Sequence, residues 1–184
     1  MPQGTTETPQ FAARPETLDG ASVAYVDLGK PNGDVLYEYL SEEMRDEFDI
    51  ETMEYWQKPH FSSPMPESQI DEIVDWGADA VIEGISDCGS CNSSSVVDAV
   101  AFEQRGVPTV QIITDEFVDL NERIANSNGY DEMPIVTVEH PTRYLSQEDV
   151  ARIAERIRWS VQTMLTCEDC LSGACDIGHP AERQ

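Results

Sequence analysis

Apolar and polar positions follow two alternating spacings along most of the chain. Short runs rich in apolar and β-branched residues, such as residues 22–28 and 78–84, are typical of buried strands. Between these runs, apolar residues recur at the spacing of one helix face, as in residues 33–48. Strands that alternate with helices in this way predict a parallel sheet covered by helices on both faces.

The chain contains five such strand–helix repeats. The predicted strands are residues 22–28, 50–55, 78–84, 109–113 and 135–138. The predicted helices are residues 33–48, 67–76, 94–105, 115–128 and 146–165. This order predicts a flavodoxin-like (Rossmann-like) α/β fold, a three-layer sandwich whose five-stranded parallel sheet has the order 2-1-3-4-5.

The same pattern predicts the domain organisation. A chain of 184 residues suits one globular domain, and we place the α/β domain at residues 21–165. Residues 1–20 are rich in Pro, Thr and Gln and are interpreted as a disordered leader. Residues 166–184 form a cysteine-containing tail.

The charge of the chain limits its partners. Asp and Glu number 36 against 11 Lys and Arg, which gives a net charge of −25. Such a charge repels phosphate backbones and anionic membranes, so we expect neither nucleic acid nor a membrane as partner. No apolar run reaches the about 18 residues of a membrane span, and residues 1–20 lack the pattern of a signal peptide. We therefore expect a cytoplasmic protein.

The distribution of the charges indicates a particular environment. The acidic residues are spread along the chain, and Lys30 and Lys58 are its two lysines. Molar salt screens the repulsion between carboxylates, so this composition indicates a halophilic source. The alternative is an ordinary acidic protein whose charge keeps it soluble.

The loops that follow the predicted strands carry the candidate chemistry, because ligands of parallel α/β sheets bind at the carboxyl ends of the strands. We predict Cys88, Cys91 and His140 as catalytic residues, although a lone histidine at a strand end is also often structural. The residues predicted to bind a substrate or anion are Lys30, Lys58, Gly89, Ser90, Asn92 and Thr114. For the two lysines the alternative is chance placement of solvated side chains.

Cys88-x-x-Cys91 is the most specific of these features. It follows a predicted strand and opens a predicted helix, with Asn92 and Ser93 as candidate caps. Amides and the dipole at a helix start lower the pKa of a thiol, and two cysteines three apart can close a disulfide, which favours thiol–disulfide chemistry. Asp87 opposes this effect unless a lysine offsets its charge. The alternative is a pair of small buried thiols.

Cofactor motifs are scarce in the sequence. Neither G-x-G-x-x-G nor G-x-x-x-x-G-K-[ST] occurs, so the sequence supports neither dinucleotide nor nucleoside-triphosphate binding. The tail offers four soft ligands at spacings that suit a compact zinc knuckle: Cys167, Cys170, Cys175 and His179. Two alternatives are a redox relay that reduces the Cys88–Cys91 pair and a disordered end.

Residues 87–91, Asp-Cys-Gly-Ser-Cys, and the stretch 98–109 resemble the UGSC family of selenoproteins and their cysteine homologues. The resemblance runs over about residues 23–165 and takes in Lys30-Pro-Asn-Gly, Lys58-Pro59, Thr114-Asp-Glu-Phe117 and His140-Pro141. A more distant similarity is to the selenocysteine region of the B components of glycine, sarcosine and betaine reductases. The resemblance implies a redox-active centre, with Cys88 at the position that is often selenocysteine and Cys91 as its resolving partner.

Together these features predict a thiol-dependent oxidoreductase. The Cys88 thiolate attacks a small, electrophilic substrate, and Cys91 releases the product by forming the disulfide. The partners expected are the small-molecule substrate and a thiol or protein electron donor, with a homo-oligomer left open. The alternative is a non-catalytic module in which Cys88 and Cys91 bind a soft metal or a thiol ligand.

The acidic composition leads to a prediction about salt. Because screening weakens the repulsion among the carboxylates, we expect the midpoint of thermal unfolding to rise as potassium chloride increases into the molar range. A series of unfolding curves at increasing salt measures this. A midpoint that stays flat or falls would contradict the halophilic interpretation.

Overall fold

The structure is a computed structural model that describes residues 10–172. Within these residues the strands are β1 (Ser22–Asp27), β2 (Thr52–Gln57), β3 (Ala80–Ser86), β4 (Thr109–Thr114) and β5 (Ile135–Val138). The α-helices are α1 (Gly33–Phe48), α2 (Glu67–Trp76), α3 (Gly89–Gln104), α4 (Val118–Ser127) and α5 (Gln147–Thr166). Short 3-10 helices span Asp115–Phe117 and Asp169–Ser172.

The five strands form one parallel sheet in the order β2-β1-β3-β4-β5. This confirms the predicted flavodoxin-like arrangement. The strands β3 and β4 are buried along their whole length, although each also carries polar residues, such as Glu83 and Gln111. None of the helices within residues 10–172 has the length and apolarity that a membrane crossing requires.

The sheet separates two apolar layers, and β1 contributes to both. Val23 and Tyr25 belong to the cluster that α1 and α5 cover. Ala24 and Val26 alternate with them and belong to the cluster covered by α2 and α3. The carboxyl end of the sheet is therefore held from both sides, and the loops that leave it start from fixed positions.

The start of α3 differs from the sequence prediction. The helix begins at Gly89 instead of residue 94, so the expected caps Asn92 and Ser93 lie inside its first turns. Cys88 takes the cap position, and its Sγ accepts a hydrogen bond from the backbone N–H of Cys91 at 3.3 Å. The Ser93 hydroxyl donates to the carbonyl of Gly89 at 2.9 Å, so this serine is satisfied within the helix.

Residues 10–20, the described part of the predicted disordered leader, contact the domain, and residues 1–9 lie outside the described residues. The guanidinium of Arg14 donates to both carboxylate oxygens of Glu103 on α3, at 3.0 and 2.9 Å. Glu103 also accepts from the backbone N–H groups of Ala12 and Thr109, at 2.8 and 2.7 Å. One buried carboxylate thus joins the N-terminal segment to α3 and β4.

This ion pair gives a stability prediction. Arg14→Met leaves the Glu103 charge buried without its cation, so we expect the free energy of unfolding to fall by about 3–5 kcal/mol. Chemical denaturation at fixed salt measures the change. Glu16→Gln, which alters an exposed residue of the same segment, is the control and should shift stability by less than about 0.5 kcal/mol. Equal stability of Arg14→Met and the wild type would contradict a supporting role for the ion pair.

Candidate functional site

Cys88 and Cys91 lie where β3 passes into α3, at the carboxyl end of the sheet. Their sulfurs are in disulfide contact, with the Cα atoms 5.4 Å apart. Cys91 is fully buried, whereas Cys88 is partly exposed. The two thiols are therefore unequal: an incoming molecule can reach Cys88, and Cys91 lies behind it.

Asp87, which precedes Cys88, is buried and has partners on two other loops. The ammonium of Lys30 lies 3.3 Å from one carboxylate oxygen, and the hydroxyl of Thr142 donates to the other at 3.3 Å. The Lys30 ammonium also lies 4.5 Å from the centre of the Phe61 ring. Lys30 thus supplies the positive charge needed to offset Asp87 beside the cysteine pair.

The turn that carries Lys30 is fixed by Asp27 at the end of β1. The Asp27 carboxylate accepts the backbone N–H of Gly29 at 2.9 Å and the hydroxyl of Tyr55 at 2.5 Å. A side chain at Gly33 would place its Cβ 2.1 Å from Asp27, so only glycine fits this approach. Burial raises the pKa of Asp27, and the two hydrogen bonds act in the opposite direction.

Lys58 has a different environment from Lys30, although the sequence predicts that both bind a substrate or anion. Its ammonium is buried, contacts the Asp98 carboxylate, and lies 3.7 Å from Glu83 and 3.2 Å from the Ser94 hydroxyl. Two buried carboxyl groups hold the ammonium beneath α3, and a buried cation needs at least one of them as a paired charge. Lys58 therefore supports the helix from inside.

The group Lys58–Asp98–Glu83, here the buried triad, contains two carboxyls and one cation. Burial raises the pKa of Asp98, and Lys58 lowers it. Burial and the nearby Asp98 charge raise the pKa of Glu83 well above its usual range. Both effects favour the protonated form of Glu83, in which the triad carries one negative and one positive charge.

The triad also fixes the loop between β2 and α2. Asp98 accepts the backbone N–H of Met65 at 2.6 Å. Ser94 lies next to the Lys58 ammonium, and its hydroxyl lies 2.8 Å from the carbonyl of Phe61 and 3.0 Å from that of Cys91. The loop with Phe61 is thereby positioned over the first turn of α3.

Asn92 lies in the first turn of α3 and is fully buried. Neither its side-chain nitrogen nor its side-chain oxygen has a hydrogen-bond partner within residues 10–172. Buried amides without partners are rare, because the lost hydration is costly. The chemistry of Asn92 therefore fits the predicted contact with a ligand. Gly89 and Ser90 precede it in the same turn, and the Ser90 hydroxyl lies 3.6 Å from the Cys88 sulfur.

His140 follows β5 and is joined to the cysteine loop by hydrogen bonds. Its Nδ1 lies 3.0 Å from the hydroxyl of Thr114, which lies 3.4 Å from the carbonyl of Ser86. When this hydroxyl donates to Ser86, it accepts from Nδ1–H, and Nε2 remains as the proton acceptor. The backbone N–H of His140 donates to Asp115 at 3.1 Å. The structure thus brings His140 and Thr114 to the same end of the sheet as Cys88.

A soft metal has one candidate ligand set in the described part of the chain. One ligand atom each from Asp87, Cys88 and Cys91 lies within 4.8 Å of the others. In the predicted zinc set of the tail, Cys167 follows α5 and Cys170 lies in the last 3-10 helix. Cys175 and His179 lie outside the described residues, so that set stays a prediction.

Comparison with known protein families shows which family the chain belongs to. The model of the UGSC family matches residues 1–167. The chain belongs to the UGSC family. This UGSC match extends beyond the region of resemblance at residues 23–165 and includes the segment that Arg14 attaches to α3. No curated protein matches the chain.

Sequence reasoning missed Glu83 and Asp98. Two signals were available: Glu83 interrupts an apolar strand, and Asp98 follows Ser94 by one helical turn within a helix that is otherwise poor in charge. In the sequence, either carboxylate could equally lie at a solvated position. Only the fold shows that Glu83 and Asp98 both lie beside Lys58.

The buried triad predicts unequal effects of two similar substitutions. Glu83→Gln replaces a protonated carboxyl by an amide of similar shape, so we expect a change below about 1 kcal/mol in the free energy of unfolding at neutral pH. Asp98→Asn leaves Lys58 without its closest anion and should cost about 3–5 kcal/mol. Urea denaturation of both variants measures the difference, and equal losses would contradict a protonated Glu83.

The triad also predicts a pH dependence. Folded Glu83 keeps a proton that the unfolded chain releases above its ordinary pKa of 4.5. Stability should therefore fall as the pH rises from that value towards the raised pKa of the folded state. Denaturation curves across this range should show a shallower loss for Glu83→Gln than for the wild type.

Proposed function

We propose that the protein is a thiol-dependent oxidoreductase that acts on a small, anionic substrate through Cys88 and Cys91. One observation carries this proposal: Cys88 caps a 16-residue helix and is partly exposed, while its partner Cys91 is buried. A thiolate at this position is stabilised by the converging amides of the first turn. Lys30 supports it by offsetting the adjacent Asp87 charge.

The reaction runs in two steps. The Cys88 thiolate bonds to the electrophilic atom of the substrate, and the leaving group departs with the bonding electrons and takes up a proton. The Cys91 thiolate then attacks the Cys88 sulfur, so the disulfide forms and the sulfur–substrate bond breaks. The released substrate atom keeps that electron pair and takes up the second proton. Two thiols are oxidised and the substrate gains two electrons.

The remaining residues take supporting roles in this scheme. His140 accepts and returns the proton through Nε2. Asn92, Thr114 and the backbone amides of Gly89 and Ser90 contact the anionic substrate. A low-molecular-weight thiol or a dithiol protein reduces the disulfide after each cycle, which suits a reducing, cytoplasmic compartment of high salt.

A second candidate is a soft-metal or thiol-ligand module without turnover. The compact arrangement of Asp87, Cys88 and Cys91 favours it. Metal analysis of anaerobically purified protein separates the two functions. Stoichiometric metal that is lost in a variant lacking both cysteines would support the metal module, and its absence would support the oxidoreductase.

The proposal predicts that Cys88 is the nucleophile. After brief treatment of the reduced protein with iodoacetamide, mass spectrometry should find Cys88 alkylated first, with an apparent pKa below the roughly 8.5 of an ordinary thiol. Cys91→Ser should trap an adduct on Cys88, and Cys88→Ser should form none. Preferential labelling of Cys91, or turnover by Cys88→Ser, would contradict the mechanism.

The contribution of Lys30 can be separated with a charged reagent. Iodoacetate is an anion and iodoacetamide is neutral, and the two reagents are otherwise similar. The rate of Cys88 alkylation by iodoacetate divided by the rate with iodoacetamide therefore reports the local electrostatic potential. Lys30→Gln should lower that ratio, whereas Arg123→Gln, which removes the same charge from an exposed site on α4, should leave it unchanged. Equal ratios in all three proteins would exclude Lys30 from the site.

A further inference from the structure

A cavity of about 370 Å³ lies between α5 and the loop that leaves β5. His140, Pro141 and Leu145 form its loop side, and Ile153 lies on the helix side. The cavity is not part of the scheme described above, although it shares His140 with it. A pocket of this volume can hold a small organic molecule.

Arg152 and Arg156 also line the cavity, one helical turn apart on α5. Arg152 contacts the Asp149 carboxylate, which also accepts the Ser146 hydroxyl at 2.6 Å. The Arg156 side chain has no hydrogen bond, ion pair or ring contact with any part of residues 10–172. The Arg156 guanidinium is exposed on the wall of the cavity, so its donors are open to a carboxylate from outside the chain.

The cavity and the cysteine pair share one stretch of chain. His140 and Pro141 line the cavity, and the next residue, Thr142, donates to Asp87 beside Cys88. A molecule seated against His140 is therefore separated from the cysteine loop by a few residues. We infer that this cavity binds the carboxylate end of the substrate through Arg156, while the other end of the substrate reaches Cys88. The inference rests on the proposed function and adds the class of substrate to it.

The lining favours a carboxylate over more highly charged anions. The planar guanidinium of arginine matches the two oxygens of a carboxylate in a bidentate arrangement. Glu139 and Asp149 belong to the same wall and repel additional negative charge. Apolar contacts from Leu145 and Ile153 suit the carbon chain of an organic acid. Phosphate carries more charge and no carbon chain, so it should bind more weakly.

The first experiment measures binding without turnover. Propionate and inorganic phosphate are titrated into the full-length protein at constant ionic strength, and the imidazole signals of His140 are followed by NMR, with His140→Gln for assignment. We expect a saturable shift with propionate and a weaker one with phosphate. Arg156→Gln should weaken propionate binding by about tenfold or more, and Arg123→Gln should not. No saturable shift, tighter phosphate binding, or unchanged binding in Arg156→Gln would overturn the inference.

The second experiment tests the link to Cys88. Carboxylic acids of increasing chain length that carry a terminal bromine are reacted with the reduced protein, and Cys88 alkylation is measured. At a chain length that spans the two sites, the rate should saturate, fall with added propionate, and fall in Arg156→Gln. Neutral iodoacetamide should label Cys88 equally in Arg156→Gln and in the wild type. If no chain length depends on Arg156, the link is wrong.

The two proposals can fail separately. Propionate binding is repeated on Cys88→Ser, in which the proposed reaction is abolished and the cavity is intact. If propionate binds but Cys88 is neither alkylated first nor lowered in pKa, the oxidoreductase proposal fails, and the substrate assignment of the cavity fails with it. If Cys88 is alkylated first with a lowered pKa but propionate does not bind, only the cavity inference fails.

Discussion

The buried charge of Lys58 is the constraint on which the candidate site depends. An ammonium inside a protein must be paired; Asp98 on α3 provides the charge, and the carboxyl of Glu83 on β3 lies 3.7 Å away on the sheet side. Asp98 also holds the backbone of Met65, so the loop after β2, the strand β3 and the helix α3 meet at one point. The start of α3, which carries Cys88, cannot move relative to the sheet without separating these charges. The position of Cys88 thus follows from the buried triad beneath α3.

A second polar connection supports the same helix. Gln111 on β4 donates to the Ser95 hydroxyl at 2.8 Å and accepts from Asn121 on α4 at 3.1 Å. Ser95 in turn lies 3.0 Å from the hydroxyl of Ser86, at the end of β3. The buried side of α3 near its start is therefore held mainly by hydrogen bonds, and apolar packing follows from Val96 onwards. Directional bonds fix the rotation of a helix about its axis, which apolar contacts do less strictly.

Much of the fold could be predicted because its signals are local. The bounds of α2 agree with the prediction, since Pro66 and Gly77 mark its ends. The bounds of β5 also agree with the predicted residues 135–138. The start of α3 was predicted too late, because Cys, Ser and Asn residues there resemble a cap and not a helix. Within the site, the partners of Lys58 are far apart in the sequence and follow no period. A pairing across three elements depends on tertiary structure, which one sequence does not reveal by pattern alone.

The contact between Arg14 and Glu103 has a consequence for the order of folding. The two residues are 89 positions apart, so their contact closes a long loop and loses the corresponding chain entropy. That contact needs α3 already in place, whereas α3 needs only its neighbours in the sheet. We expect the N-terminal segment to dock after the transition state for folding, so substitutions at Arg14 should accelerate unfolding and leave the folding rate almost unchanged. A segment that precedes the α/β domain in the chain is then among the last to reach its final position.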